Sequence, residues 1–169
     1  MRHDELRAVQ APLKERYRED PAAALVTLTA HATLGEGVTC RVQTGQALAV
    51  AGLHPASGGD GTQLCSGDLL LEALAACAGV TMRAVATALA IDVEGQVTAE
   101  GVLDFRGTLG VDRAAPVGFA AIGLRFALDT GAEDDGIEKL VELTERYCVV
   151  LQTLTGAPAL SVDWTRAAR

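Results

Sequence analysis

The stretch that decides the fold is Ser66-Gly-Asp-Leu-Leu-Leu-Glu-Ala-Leu-Ala-Ala-Cys-Ala-Gly-Val-Thr-Met-Arg83, with its continuation to Ala90. Leucine and alanine dominate it, β-branched residues are few and proline is absent, so it is predicted to form a helix. Ser66 is placed to cap the first turn, and Asp68 sets a negative charge where the helix dipole favours one. Between Leu69 and Val80 the one charged residue is Glu72, which predicts a helix buried nearly all round. At about 100° per residue, Asp68, Glu72, Gly79 and Arg83 share one stripe. Cys77 falls opposite, among Ala73, Leu74, Val80 and Thr81.

Working outward from this helix toward the N-terminus, a loop runs from Gly52 to Cys65 and contains Gly58-Gly-Asp-Gly61. Ahead of it, Val38–Thr44 and Ala47–Ala51 read as two strands joined by a turn at Gly45-Gln46. Gly35-Glu-Gly37 turns the chain back to Ala24–Thr33, whose alternation suits a half-exposed strand. Residues 3–19 carry Leu6, Val9, Leu13 and Tyr17 at helical spacing, with a break near Pro12 and a stop at Pro21. Residues 1–22 are thus an N-terminal helical extension, and 23–169 form a single domain.

On the other side, Ile91–Phe105 alternates over a long run, as an extended strand with a bulge near Gly101 does. A Gly- and Pro-containing connection, Arg106–Val117, leads to a second alternating strand, Gly118–Asp129. After an acidic turn at Gly131–Gly136, Ile137, Leu140, Val141, Thr144, Cys148 and Leu151 recur at the spacing of one amphipathic helix. Glu138, Lys139, Glu142 and Arg146 point outward, and Gly156-Ala-Pro158 stops the helix. Leu160-Ser-Val-Asp-Trp164 reads as a last strand. The order specifies an α+β fold with antiparallel sheet and two core helices, each carrying an inward cysteine.

With 169 residues and 49% apolar content, the chain can bury a full core without disulfides and is not disordered. Its net charge of −8 argues against nucleic acid or an anionic membrane as partner. The start, Met-Arg-His-Asp-Glu-Leu-Arg, is too charged for a signal peptide. Glu72 and Arg83 leave the central helix short of the roughly 18 to 20 apolar residues that a span requires. A soluble, cytoplasmic protein is the expectation.

The four cysteines are Cys40, Cys65, Cys77 and Cys148, with no Cys-x-x-Cys pair among them. Cys65 lies on the order of 15 Å from Cys77 along the helix, beyond the roughly 7 Å between Cα atoms that a disulfide tolerates. Cys148 can reach Cys77 if the two helices pack face to face, which Ala73, Ala76, Ala78 and Gly79 permit. Two readings stand on these residues alone: small apolar fillers of a core, or a redox pair. Cys65, at a helix N-terminus, is either a plain loop residue or a reactive thiol in its own right.

Taken together, Asp68–Cys77, Thr81-Met-Arg83, Arg146-Tyr-Cys148-Val149 and Thr153-Leu154 resemble the OsmC/Ohr family (osmotically inducible protein C-like, organic hydroperoxide resistance). Gly58-Gly-Asp60 ahead of the helix and Gly118-Phe119 at a strand start are similar too. The likeness runs from about Thr39 to Trp164. It implies an intertwined homodimer with antiparallel sheets wrapped around long core helices, and a thiol peroxidase of antioxidant and stress-response function. By the same resemblance Cys77 attacks a hydroperoxide and Cys148 resolves the sulfenic acid as a disulfide, which a dithiol reductant then opens. No cofactor or metal is implied. Organic-hydroperoxide members carry Asn-Pro-Glu at the helix entrance, where this chain has Cys65-Ser66-Gly67, and pair that glutamate with an arginine. Here Asp68 and Arg41 are the candidate supporting residues, with Cys65 beside them. The alternative function is a non-peroxidatic relative that binds a small apolar ligand or partner in the dimer cleft.

Weaker candidates complete the list of expectations. Gly58–Gly61 lacks the Lys-Ser/Thr of a phosphate loop. His54 with Cys40 and Cys65 has no metal-ligand spacing. Glu72 and Arg83 share a helical face and are expected to form an ion pair, and Glu145 is a solvated residue.

Overall fold

The computed structural model describes the backbone of residues 2–5, 8, 11, 19, 31–34, 40–44, 47–110 and 112–166, and the side chains of 2–5, 8, 11, 19, 50–110 and 112–166. His3–Glu5, Ala8, Ala11 and Glu19 are helical. The rest of the expected extension, strand residues 24–30 and the turns Gly35–Gly37 and Gly45-Gln46 lie outside the described residues.

Three strands, β1 (His31–Leu34), β2 (Cys40–Thr44) and β3 (Ala47–Gly52), form an antiparallel meander. Thr44 pairs with Ala47, so the connection between β2 and β3 is two residues long, as the hairpin reading expects. A short strand, β4 (Leu64–Cys65), then lies parallel to β3, with Ala51 opposite Leu64 and Gly52 opposite Cys65. The sequence reads as loop here, because two residues carry no alternation to detect.

β4 feeds directly into α1 (Ser66–Leu89), 24 residues long. Cys65, extended by its pairing with Gly52, is the residue that precedes the first turn. Ser66 is therefore inside the helix rather than capping it, and no side chain caps this end. Ala90 ends the helix at φ 57°, its N–H bonded to the Ala86 and Thr87 carbonyls.

α1 is buried along one stripe, Leu74, Ala78, Met82 and Ala86, the i, i+4 row that a helix lays against a sheet. The expectation of burial all round is overturned. Ala73 and Ala76 are exposed, and Val80 is 72% exposed, so one small-residue face of this apolar helix is bare. By length and composition Ser66–Leu89 is apolar enough to cross a membrane, Glu72 and Arg83 notwithstanding, but here a sheet and a second helix pack along it.

That sheet is the antiparallel pair β5 (Glu94–Leu103) and β6 (Phe119–Asp129), in register from Glu94–Asp129 to Val102–Ala121 and shifted between Val102 and Leu103. The shift falls beside the expected bulge. At Gly101 a Cβ would come within 2.4 Å of the Phe119 ring, so the position accepts no side chain while that ring stays. Val97, Ala99, Leu124 and Phe126 face α1. The connection between the strands contains one helical turn, α2 (Phe105–Thr108), started by Asp104, whose carboxylate accepts the Arg106 N–H.

The C-terminal region departs most from the sequence reading. The single expected helix is two: α3 (Asp134–Tyr147) and α4 (Val149–Gly156), with Cys148 extended between them. Leu160–Trp164 forms no strand. Leu160, Val162 and Trp164 are 90%, 94% and 82% exposed, and among the described residues no neighbouring strand pairs with them. Alternation is necessary for a strand, but the hydrogen bonds come from a partner. The α+β class stands, with the core in two parts. Met82, Ala86, Val93 and Leu140 fill one end, and Leu74, Ala78 and Cys148 fill the middle.

Candidate functional site

The middle of the core is where the two distant cysteines meet. α3 and α4 both pack against α1. Cys77, half-buried, and Cys148, fully buried, pack in one cluster, and both are reduced. The small residue Ala78 on α1 lets the elements approach this closely.

What brings Cys148 to that position is a break in the helix. At Cys148 φ is −73° and ψ is 105°, extended rather than helical. Its N–H still bonds the Thr144 carbonyl at 2.9 Å, and its carbonyl accepts from the Gln152 N–H at 2.9 Å. In an unbroken helix the Val149 N–H would bond the Glu145 carbonyl. Instead the Gln152 side chain donates to that carbonyl at 2.9 Å. Val150 and Leu151, at the start of α4, pack against the same cluster as Cys77, and the Val149 and Val150 N–H groups favour the charged form of its sulfur.

A fourth donor comes from α1 itself. Thr87, Thr144, Thr153 and Thr155 all donate their hydroxyls to the carbonyl four residues back. Thr81, one turn after Cys77, carries a hydroxyl that favours the charged form of that thiol.

These contacts divide the pair electrostatically. Burial pushes the Cys77 thiol up, but the Val150 N–H, the Cys148 thiol, the Val149 N–H and the Thr81 hydroxyl outweigh it. The net is a thiol below its ordinary range. Burial also raises Cys148, the Leu151 N–H partly offsets this, and the neighbouring Cys77 sulfur adds to the rise, so Cys148 ends above its ordinary range. One sulfur is set to carry the negative charge, the other to keep its proton.

Beside the pair runs an apolar groove of about 580 Å³ between α1, β6 and α4, lined by Leu70, Leu74, Phe119, Ile122, Leu151 and Leu154 among others. Leu74 and Leu151 also pack with Cys148, so groove and thiols share a wall.

The other sequence candidates lie elsewhere. Cys65 and Asp68 line a separate cavity of about 360 Å³ at the entrance of α1, with His54, Phe105 and Phe119. The His54 ring stacks on Phe105 at 5.1 Å between centroids, and its Nδ1 accepts the Ala56 N–H. Arg41 sits on β2 opposite Thr33 and Val50, with its side chain, like that of Cys40, outside the described residues. Among the described residues no cluster of His, Cys, Asp or Glu is arranged to hold a metal. Arg83 does not pair with Glu72. It donates to the Val93 carbonyl at 2.6 Å and lies 3.8 Å from Glu94, because the end of α1 turns back onto β5. The Asp60 carboxylate bonds the N–H and hydroxyl of Thr62 within its own loop. Glu145 is exposed, as expected.

The donors to Cys77 were missed from sequence. The helical spacing sets Thr81 near Cys77, and a hydroxyl four residues on is the visible signal of its role. The break has neither proline nor glycine to announce it, only the β-branched pair Val149-Val150 after the cysteine.

The sequence model for OsmC-like protein matches residues 59–163. No curated protein matches the sequence. Among solved structures, an OsmC-like protein from Mycoplasma pneumoniae is similar at TM-score 0.65 and 20% identity, over 78% of this chain and 89% of that one. An organic hydroperoxide resistance protein OsmC from Legionella pneumophila is similar at 0.56 and 24%, over 79% and 92%. The organic hydroperoxide resistance protein OhrB of Bacillus subtilis is similar at 0.52 and 20%, over 79% and 93%. At such identities the structures speak for the fold alone, while the sequence match covers the thiol pair, the break and most of the described chain. The chain belongs to the OsmC-like family.

Proposed function

We propose that this protein is a thiol peroxidase that reduces hydroperoxides through Cys77 and Cys148. The observation that carries this reading is the contact between two reduced thiols of opposite acidity beside an apolar groove. The Cys77 thiolate attacks one peroxide oxygen: an S–O bond forms, the O–O bond breaks, and the leaving alkoxide takes a proton to become an alcohol. Cys148 then attacks the sulfenic sulfur, expelling water and forming a disulfide. Two electrons and two protons from a dithiol reductant return both thiols. Two relatives of this fold carry hydroperoxide resistance in their names, in keeping with this chemistry.

The working form in this reading is a cytoplasmic homodimer acting in peroxide stress. The bare face of α1 and the exposed Leu160–Trp164 segment give a second copy apolar surface to cover. Residues 23–169 act as one domain, with 1–22 as an extension. Neither a cofactor nor a metal enters the cycle.

The test is peroxide-dependent consumption of dithiothreitol, with an alkyl or aryl hydroperoxide and with hydrogen peroxide, by wild type and Cys77→Ser. Wild type turns over and the variant does not. Wild-type protein that leaves every peroxide intact sinks the proposal. The groove favours a second reading, a non-peroxidatic protein that holds a small apolar ligand. In that case a lipid-like probe binds with equal affinity to wild type and Cys77→Ser while dithiothreitol is not consumed.

A further inference from the structure

We propose that Gln152 is a positioning residue for the Cys77 thiolate: by clasping the Glu145 carbonyl it holds open the helix break at Cys148, and the open break aims the Val149 and Val150 N–H groups at Cys77. The proposal rests on Cys77 being the attacking thiol.

The covalent chain does not force this break. Arg146-Tyr-Cys-Val-Val150 contains neither proline nor glycine, and what would close the helix is the bond from the Val149 N–H to the Glu145 carbonyl. Gln152 occupies that carbonyl with its side-chain amide at 2.9 Å. Its backbone N–H bonds the Cys148 carbonyl at 2.9 Å. One residue thus ties both sides of the break on the exposed side of α4, and leaves the Val149 and Val150 N–H groups free of the α3 carbonyls. Cys77 packs with Val150 and Leu151 against the Leu74, Ala78 and Cys148 cluster, which sets its sulfur beside the freed start of α4.

The surroundings explain why these donors matter. α4, Val149–Gly156, carries no ionisable side chain. The sheet presents Val97, Ala99, Leu124 and Phe126. On α1, Glu72 and Arg83 are exposed, and Arg83 is engaged with Val93 and Glu94. Glu145 and Arg146 at the end of α3 are exposed. Cys148 is the titratable group in contact with Cys77. Among the described residues, then, the groups that favour the charged form of Cys77 are backbone N–H, thiol and hydroxyl dipoles.

The experiment is alkylation of the full reduced chain by iodoacetamide across pH, read at the Cys77 peptide by mass spectrometry. Gln152→Met keeps the length and removes the donor. We expect the Cys77 midpoint to rise by about half a unit, a roughly threefold loss of thiolate below it, and the Val149 amide to gain protection from hydrogen exchange as it rejoins Glu145. Proline suits the first helical position and cannot donate, so Val149→Pro added to Gln152→Met reopens the break and moves the midpoint back through Val150. A purely structural Gln152 lowers the melting temperature of Gln152→Met and leaves the midpoint in place, and that result overturns the proposal. Should the double variant fail to fold, Val149 protection in Gln152→Met decides alone: unchanged protection refutes the clasp. None of these readouts needs a peroxide. A shifted midpoint in a protein that consumes no hydroperoxide removes the proposed activity and keeps the clasp.

Discussion

Cys65 and Cys77 belong to the same helix and have opposite settings. Cys65 stands at the entrance of α1 in a cavity with a histidine and an aspartate. Cys77 stands mid-helix, where the N–H groups of α1 are engaged in the helix's own ladder. Yet the middle position is the one whose charged form two backbone N–H groups and a thiol favour, because tertiary packing sets it beside the start of another helix, with the Thr81 hydroxyl of its own helix adding to them. A thiol's place on its own helix is therefore a weaker guide to its chemistry than the element packed against it. The same packing separates Cys77 from its partner. The half-buried thiol is pulled down and the fully buried one is pushed up.

The contrast can be tested in descending order of effect. Cys77→Ser should lose hydroperoxide consumption by about a hundredfold or more, since no other described thiol has a partner to resolve it. Cys148→Ser should spend one equivalent on the Cys77 sulfenic acid, a second on advancing it to sulfinic acid, and then stop, with both species seen in intact-mass spectra. Sustained turnover in that variant would detach Cys148 from the cycle.

Alkylation against pH sharpens the contrast between the two thiols. The thiolate is the reacting form, so Cys77 should reach half-reactivity at a pH below that of an ordinary thiol and Cys148 above it. The reverse order breaks the assignment of attacker and resolver. Thr81→Val should raise the Cys77 midpoint by roughly half a unit, and Thr81→Ser should restore it. Equal midpoints in both variants would make the hydroxyl a spectator. Cys65→Ser should leave turnover within about twofold of wild type, measured with the same reductant. A larger loss would bring the entrance cavity into the mechanism.

Much of the fold is legible in the sequence for stated reasons. α1 is visible because Leu and Ala without proline leave a long segment one favourable conformation, and β5 and β6 are visible because each alternates beyond ten residues. The facing of Cys77 and Cys148 was expected as a matter of packing between two helices, and the structure places them together. The break that makes the contact chemically useful was not legible. Helical spacing of Leu140, Thr144 and Cys148 continues across it, and its cause, Gln152 reaching the Glu145 carbonyl, is a side-chain bond that no periodicity encodes. The bare face of α1 was hidden for the opposite reason: composition reports that a segment is apolar, but not how much of the same chain is available to cover it. Leu160–Trp164 failed as a strand on the same ground.

That C-terminal segment has a practical consequence. Trp164 is the sole tryptophan of the chain and is 82% exposed here. Its fluorescence is thus a built-in gauge for whatever settles over the segment: emission should lie near that of a fully hydrated indole at high dilution and move to shorter wavelength as concentration draws a second molecule over it.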